Sequence, residues 1–256
     1  MPYFNIVAET SENTVVTEYE PVKKRSDSYQ SEAELEQEFI RLLCEQGYEY
    51  LPIHTEKDLI SNLRKKLEEL NNYQFSDTEW DAFFKNAVAN PNEHIVEKTR
   101  KIQEDNVQVL TRDDGSSKNI TLIDKKNIHN NRLQVINQYK VNADPGSREG
   151  SLGCVIGTEN GAKHDNRYDV TVLVNGLPLV HIELKRRGVA IREAFNQINR
   201  YQRDSFWAGC GLYEYIQIFV ISNGTNTKYY SNSTRRNAEK KHEKRGASKT
   251  KTSNSF

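Results

Sequence analysis

The chain has 256 residues, and its 36 lysine and arginine residues balance 36 aspartate and glutamate residues, so its formal net charge is zero. This balance excludes the binding of a polyanion such as nucleic acid through bulk charge and leaves local basic clusters as the electrostatic route to any such ligand. The three cysteines are odd in number, and the sequence shows no signal peptide or long apolar run, which indicates a cytoplasmic protein without a membrane segment.

The first elements in chain order are predicted to be two short strands within residues 2–19 and a core helix over residues 31–46. Ser31 and Glu34 have the spacing of a capping box, and Gly47 ends the helical pattern. One helical stripe carries the apolar side chains, Leu35, Phe39, Leu42 and Leu43. The stripe predicts that this helix packs on the core with one face.

Residues 52–130 are predicted to be insertions into the core. Three helical stretches lie between residues 56 and 104. Their apolar residues are Leu59, Leu63, Leu67 and Leu70 on the first, and Trp80, Phe83, Phe84 and Val88 on the second, with a third stretch from Asn92. Segments 107–110 and 120–123 flank Asp114-Gly115, which predicts a hairpin.

Residues 132–230 are predicted to form the catalytic core. A strand over 132–141 precedes a long polar and glycine-rich loop over 143–166. Residues 189–206 have helical spacing, carried by Ile191, Ala194, Phe195, Ile198 and Gln202. A continuous apolar run over 215–222, bounded by Asn223-Gly224, is typical of a buried strand. This order indicates an α/β fold, with a mixed β-sheet flanked by helices.

Charged residues interrupt the hairpin segment between the loop and the helix. Asp169 lies fourteen residues before Glu183-Leu184-Lys185, where core strands normally carry apolar side chains. Burying such charges is unfavourable unless a partner holds them, and a divalent cation is the usual partner of paired carboxylates. Two carboxylates beside a lysine indicate metal-assisted phosphodiester hydrolysis.

The pairing of the two strands decides whether these charges meet. A two-residue turn at Asn175-Gly176 is the default for this dipeptide, but its regular register places Asp169 on the face away from Glu183. A three-residue loop over 175–177 instead pairs Val170 with Ile182 and Val172 with Val180, which sets Asp169 opposite Glu183. It leaves Tyr168, Val170, Val172 and Val174 together on one face. Because the hydrophobic pattern sets the register, we predict the three-residue loop.

Plainer interpretations stay open at this level. A solvated surface hairpin can carry the spacing of Asp169, Glu183 and Lys185 by chance. His181 shares the acidic face, but a lone strand histidine is more often structural.

On the following helix, Gln197 and Tyr201 are neighbours because they stand four residues apart.

Together these residues resemble the PD-(D/E)xK nuclease superfamily, and more closely the N-terminal nuclease domain of the R (motor and restriction) subunit of type I restriction–modification enzymes. The resemblance covers residues 30–230 approximately. Its motifs are Glu36, Asp169, Glu183-x-Lys185 and Gln197-x-x-x-Tyr201, the last resembling a motif of the RecB-like branch. One departure is Tyr168, which stands where the superfamily often has a proline.

The resemblance implies a metal-dependent DNA endonuclease. Asp169, Glu183 and the backbone carbonyl of Leu184 are expected to bind Mg²⁺, for which Mn²⁺ is expected to substitute. Lys185 is expected to orient or deprotonate the attacking water and to stabilise transition-state charge. Glu36 is expected to accept a hydrogen bond from bound water or from Lys185. Gln197 and Tyr201 are expected to position the scissile DNA strand or to support Lys185. The residues expected to meet DNA phosphates are Arg186, Arg187 and Arg200.

The expected organisation is one decorated nuclease domain over residues 1–230 and a basic linker over 231–256 that leads toward motor domains. Residues 185–203 carry six basic residues against one glutamate, which suits phosphate contacts. Residues 223–256 carry nine basic residues against two glutamates, and a solvated linker is favoured there over DNA contacts. No phosphate-binding loop motif occurs, so ATP hydrolysis is not predicted for this chain.

The expected partners are double-stranded DNA, the methyltransferase and specificity subunits of a restriction complex, and C-terminal motor domains. Since a separate subunit reads the target in such complexes, the resemblance implies cleavage without base specificity. Two alternatives stay open: a stand-alone resolvase or repair nuclease, and a catalytically silent module that docks DNA or other subunits. The joint presence of Asp169, Glu183 and Lys185 argues against the silent module.

Overall fold

The structure is a computed structural model that describes residues 4–9, 15–19, 30–141, 166–206 and 210–232. The predicted loop over 143–166 and almost all of the basic tail lie outside these residues. The chain divides into two compact units, residues 1–30 and 31–256. In the first unit, β1 (Phe4–Glu9) and β2 (Val15–Tyr19) pair antiparallel, which confirms the two predicted strands.

The second unit is built on a mixed six-stranded sheet with the strand order β10-β9-β8-β7-β6-β3. Its strands are β3 (Glu49–Tyr50), β6 (Leu133–Val141), β7 (Asn166–Val174), β8 (Leu177–Leu184), β9 (Ile218–Ser222) and β10 (Thr227–Ser231). The β3–β6 and β8–β9 pairs are parallel, and the other neighbours are antiparallel. Strands β4 (Val107–Thr111) and β5 (Ser117–Thr121) form a separate hairpin. The predicted α/β fold is confirmed.

The helices follow the predicted apolar stripes and caps. They are α1 (Glu32–Glu45), α2 (Glu56–Asn71), α3 (Asp77–Phe83) continued by a π-helical turn (Phe84–Val88), α4 (Ile95–Gln103) and α5 (Ile191–Asp204). The Ser31–Glu34 capping box of α1 is present. No helix in the described ranges is both long and apolar enough to cross a membrane.

Helices cover both faces of the sheet. The smaller cluster, called here the α1 face, joins Leu35, Phe39 and Leu43 of α1 to strand residues that include Val170 and Ile182. Leu42 was predicted on the same stripe but is 42% exposed and is not part of this cluster. The larger cluster, called here the α5 face, contains Ala194, Ile198 and Tyr201 of α5 together with the stripes of α2 and α3.

The β7–β8 hairpin reaches the predicted register by a different route. Val170 pairs with Ile182 and Val172 with Val180, as predicted, yet the turn contains only Asn175 and Gly176. The predicted three-residue loop is therefore wrong. Asn175 and Gly176 adopt φ values of 51° and 84°, which suit a tight hairpin turn, and the extra residue is absorbed by a β-bulge after Val172.

The side-chain alternation of β6 and β7 is interrupted beside Asp169. Tyr168 and Leu173 both belong to the α5 face, although their positions differ by an odd number, which regular alternation would place on opposite faces. Ile136 and Tyr139 on β6 show the same reversal. The prediction that Tyr168 shares a face with Val170 is therefore wrong. The reversal falls where Gln138, with a φ of 53°, lies between the pairs that flank Asp169.

Other strand boundaries also differ from the predictions. The apolar run over 215–222 becomes a strand only at Ile218, because residues Leu212–Tyr215 form a 3₁₀ turn with buried aromatic side chains. Tyr215 is anchored there by its hydroxyl, which donates to the Val88 carbonyl at 2.8 Å. The second strand of the β4–β5 hairpin starts earlier than predicted, at Ser117. The edge strands β3 and β10 were not predicted.

Gly176→Ala is expected to destabilise the domain by at least about 3 kcal/mol, because strain and overpacking add. A Cβ at this position would lie 2.6 Å from the Cα of Leu63 on α2. Gly47 is the matched control, since its φ of 93° is equally left-handed but a Cβ there meets no described atom within 4 Å. Gly47→Ala is expected to lower stability by only about 1 kcal/mol. Urea unfolding measures both, and equal losses would contradict the close helix–turn contact.

Candidate nuclease active site

Asp169 on β7 and Glu183 on β8 lie side by side in adjoining strands. The Val170–Ile182 pair sets Asp169 opposite Glu183. The backbone N–H of Leu184 donates to Oδ2 of Asp169 at 2.9 Å. The Glu183 side chain is 0% exposed, so this strand carries a carboxylate in a position typical of a core residue. The hairpin register thus brings the two predicted acids together.

Lys185 follows β8 directly and is held at the same place. Its backbone N–H donates to the Ser222 carbonyl of the parallel neighbour β9 at 2.8 Å. Its Nζ donates to Oε1 of Glu183 at 3.1 Å and lies 3.9 Å from Oε2 of Glu32. Glu32 was not predicted as a site residue. It stands one helical turn before Glu36 on α1, which places the two acids on one helix face.

Burial dominates the electrostatics of the acidic pair. Burial, reinforced by the neighbouring Glu183, raises the pKa of Asp169 to about 7. Burial also raises the pKa of Glu183 to about 7, although Lys185 opposes the shift. For Lys185, burial disfavours the charged form, but Glu183 and Asp169 outweigh it and raise the pKa of the ammonium group. Two desolvated carboxylates therefore share a single adjacent ammonium group within this cluster.

The residues present fit a divalent cation. Oε2 of Glu183 is buried and has no hydrogen-bond partner among the described residues, so it is available as a ligand. The described part of the chain holds no group of three or more His, Cys, Asp or Glu side chains arranged around a metal position. Mg²⁺ typically uses one or two carboxylates and completes its shell with water and substrate phosphate. Asp169 and Glu183 match that requirement.

Glu36 reaches the site from α1 through amide side chains of β6. The Asn137 Nδ2 group donates to Glu36 Oε1 at 2.6 Å, and the Gln138 Nε2 group donates to Glu36 Oε2. Burial raises the pKa of Glu36, and the charge of Asp169 adds to the effect. Asn137 and Gln138 were not predicted as site residues. The signal for them is the polar pair inside the otherwise apolar strand over 132–141.

The Gln197–Tyr201 pair contacts the backbone of β7, and among the described residues no hydrogen bond joins the pair to Lys185. Gln197 Nε2 donates to the Tyr201 hydroxyl, which donates to the Arg167 carbonyl at 2.9 Å. The Tyr201 ring is buried against Tyr168 and His181. The pair therefore anchors α5 to the strand that carries Asp169. The anchored residue, Arg167, lies two residues before Asp169.

Tyr201→Phe is expected to lower stability by about 1–2 kcal/mol, because the Arg167 carbonyl and Gln197 lose a buried partner. DNA cleavage is expected to fall as well, since the loss loosens β7 beside Asp169. Tyr215→Phe is the matched control, because that buried hydroxyl also donates to a backbone carbonyl but belongs to the distant Val88. Both variants are measured by chemical denaturation and plasmid cleavage. Unchanged cleavage in Tyr201→Phe would contradict the positioning role.

The predicted DNA-contacting arginines lie on the surface around this cluster. Arg186, Arg187 and Arg200 are exposed, and the Arg200 guanidinium stands 5.5 Å from the Tyr201 ring centroid. The backbone N–H of Arg186 donates to Glu32 Oε1 at 3.3 Å. His181 is fully buried, and burial lowers its pKa to about 4, so it is neutral. Its Nε2 lies 3.5 Å from Glu183 Oε2, inside a cage of aromatic rings.

A mixed sheet that brings together a partly buried and a fully buried carboxylate on adjoining strands, with a lysine directly after the second strand, defines a domain of the PD-(D/E)xK nuclease type. Residues 29–238 match the family described as "Type I restriction enzyme R protein N terminus". The chain belongs to this family.

Related proteins carry consistent names. The chain is 47% identical over 231 residues to the type I restriction enzyme EcoprrI endonuclease subunit of Escherichia coli, which covers 90% of this chain and 68% of that protein. It is 37% identical over 209 residues to the SsaAORF53P endonuclease subunit of Staphylococcus saprophyticus, covering 80% of this chain and 20% of that protein. Against the HindI endonuclease subunit of Haemophilus influenzae, identity is 28% over 216 residues, with coverage of 76% and 18%. The chain thus spans about two thirds of the first relative and about a fifth of the other two.

Proposed function

We propose that this chain is the DNA-cleaving domain of a type I restriction enzyme R subunit and acts as a Mg²⁺-dependent endodeoxyribonuclease. The observation that carries the proposal is the Asp169–Glu183 pair, in which Glu183 is fully buried and Asp169 partly buried, with Lys185 bonded to Glu183 at 3.1 Å. Such a cluster is unfavourable for stability, so its presence needs a functional reason. Membership in the R protein family supplies the reaction class.

The proposed metal ligands are Asp169, Glu183 and the backbone carbonyl of Leu184, with Mn²⁺ able to replace Mg²⁺. A bound divalent cation supplies Lewis-acid stabilisation of phosphate charge and lowers the pKa of water. The Leu184 N–H fixes one oxygen of Asp169, which leaves the other oxygen for binding. Lys185 fixes Oε1 of Glu183 in the same way and leaves Oε2 for binding. The two carboxylates are thereby oriented before any ligand arrives.

Lys185 is the proposed donor to the reacting phosphate. Its raised pKa keeps Nζ protonated, so it stabilises negative charge by hydrogen bonding and can orient the attacking water. Glu36 is proposed to accept a hydrogen bond from water in the site. Gln197 and Tyr201 position β7, and Arg186, Arg187 and Arg200 meet backbone phosphates of double-stranded DNA. Such contacts carry no base specificity, and binding through them is expected to weaken as salt rises.

The proposed partners are the methyltransferase and specificity subunits of a restriction complex and ATP-driven motor domains. The proposed compartment is the cytoplasm. The division into a nuclease domain over 1–230 and a basic linker over 231–256 stays a prediction, since most of the linker lies outside the described residues.

Supercoiled plasmid cleavage tests the proposal. The assembled enzyme is expected to cut only with Mg²⁺ or Mn²⁺, and Asp169→Ala is expected to remove the activity. The 256-residue chain alone is expected to be weak or inactive, because DNA must be presented to it. Robust, sequence-specific cutting by this chain alone would favour a stand-alone nuclease. Equal cutting by the Asp169→Ala enzyme would assign the cleavage to another site and this chain to docking.

A further inference from the structure

Gln138 occupies a strained position directly opposite Asp169. It lies inside β6, where its φ of 53° falls in the left-handed region that non-glycine residues rarely adopt. The pairs Asn137–Val170 and Tyr139–Tyr168 flank it, so Gln138 faces Asp169 across the two strands. Strained backbone of this kind costs stability and persists where the surrounding structure requires it.

The carboxamide of Gln138 is only half satisfied. Its Nε2 group donates to Oε2 of Glu36, and so holds that carboxylate beside the acidic pair. Its Oε1 atom is buried and has no hydrogen-bond partner among the described residues. Buried carbonyl oxygens are normally bonded, and an exception calls for a ligand or water in the functional state.

The strain and the unbonded oxygen have a common explanation. Reversal of the alternation at Gln138 turns its side chain toward Glu36 on the α1 face instead of leaving it in the regular pleat. Glycine would adopt this φ without strain, but it would lack the carboxamide. The strained backbone conformation therefore places the Gln138 carboxamide within hydrogen-bonding distance of Glu36.

We propose that Gln138 is a positioning residue of the nuclease site: its Nε2 group fixes Glu36, and its Oε1 atom accepts a hydrogen bond from water bound in the Asp169–Glu183 cluster. This inference rests on the proposed function. It assigns to Gln138 the kind of outer support that commonly changes the metal affinity of a site by about 10- to 100-fold when it is removed.

Cation-induced thermal stabilisation of the 256-residue chain tests the inference. Gln138→Met keeps the side-chain length without the carboxamide, and Gln138→Gly removes the side chain while relieving the backbone. Both variants are expected to need about tenfold more Mn²⁺ for half-maximal stabilisation than the wild type. Without metal, Gln138→Gly is also expected to melt at a higher temperature than Gln138→Met, because glycine adopts the left-handed φ without strain. If the methionine variant folds poorly, the glycine variant still tests the inference.

Gln134→Met is the matched control. Gln134 is a buried carboxamide on the same strand, but its amide contacts Asn62 and Glu49. Its substitution is expected to lower the melting temperature and leave the Mn²⁺ midpoint unchanged. Unchanged midpoints in both Gln138 variants, with the response abolished in Asp169→Asn, would overturn the inference alone. A wild-type chain without any response to Mn²⁺ or Mg²⁺ would overturn the proposed function and the inference with it.

Discussion

Lys185→Ala is expected to lower DNA cleavage by the assembled enzyme by about 10²–10³-fold while the domain stays folded. Removing one preorganised donor to a developing negative charge has an effect of this size in other enzymes. Lys185 is suited to that role because its Nζ is held by Glu183 Oε1 at 3.1 Å and its pKa is raised. Substrate binding is expected to change less than the rate, since the phosphate contacts proposed for the exposed arginines do not involve Lys185.

The fold is expected to survive the substitution because Lys185 is partly exposed and its methylenes are not part of either core cluster. Glu183 keeps its place in β8 and is protonated more readily once the ammonium group is gone. Lys228→Ala is the control, since Lys228 is an exposed lysine on the edge strand β10. Plasmid cleavage and circular dichroism are the measurements. A cleavage rate near that of the wild type, with the same spectrum, would remove Lys185 from the mechanism.

The sequence was most informative where chemistry and pattern coincide. Asp169 and Glu183 stand out because charged residues interrupt strands that are otherwise apolar, and the pairing of Val170 with Ile182 followed from keeping apolar residues together. The helices of the insertions could be predicted from their stripes, since the buried side chains Leu59, Leu63 and Leu67 recur at helical spacing. In each case, the burial of apolar side chains at regular spacing determines the strand pairing or the helix.

Features that depend on a single backbone conformation could not be predicted. The two-residue turn at Asn175-Gly176 and the bulge after Val172 give the same register as a three-residue loop, so the pattern cannot separate them. The reversal at Gln138 rests on one left-handed residue, which propensity does not favour. The aromatic residues of the turn Leu212–Tyr215 are as apolar as a strand, and only their tertiary contacts decide the conformation.

Glu183→Gln is expected to stabilise the metal-free domain at pH 8 by on the order of 3 kcal/mol. The folded-state pKa of Glu183 is about 7, raised from 4.5, chiefly by burial. A raised carboxyl pKa means that folding opposes ionisation. The penalty is therefore absent below about pH 4.5, grows as the pH rises toward 7, and is complete above it. Glutamine removes the charge and keeps an oxygen for the Lys185 hydrogen bond.

The same substitution is expected to remove the stabilisation that Mg²⁺ or Mn²⁺ gives the wild type, because binding to the folded state alone raises stability with cation concentration. Urea unfolding at pH 8 and pH 4.5, with and without Mn²⁺, measures both effects. Glu79→Gln is the control, since hydrogen bonds from Tyr73 and backbone N–H groups lower the pKa of that buried carboxyl, and its loss is expected to destabilise.

A destabilised Glu183→Gln protein with an intact metal response would contradict the assignment of Glu183 as a ligand. The expected opposite signs at Glu79 and Glu183 follow from their surroundings. The Glu79 carboxylate accepts several hydrogen bonds, whereas Oε2 of Glu183 is buried and has no donor among the described residues. Under the proposed function, ionised Glu183 destabilises the metal-free fold, and cation binding is expected to restore that stability.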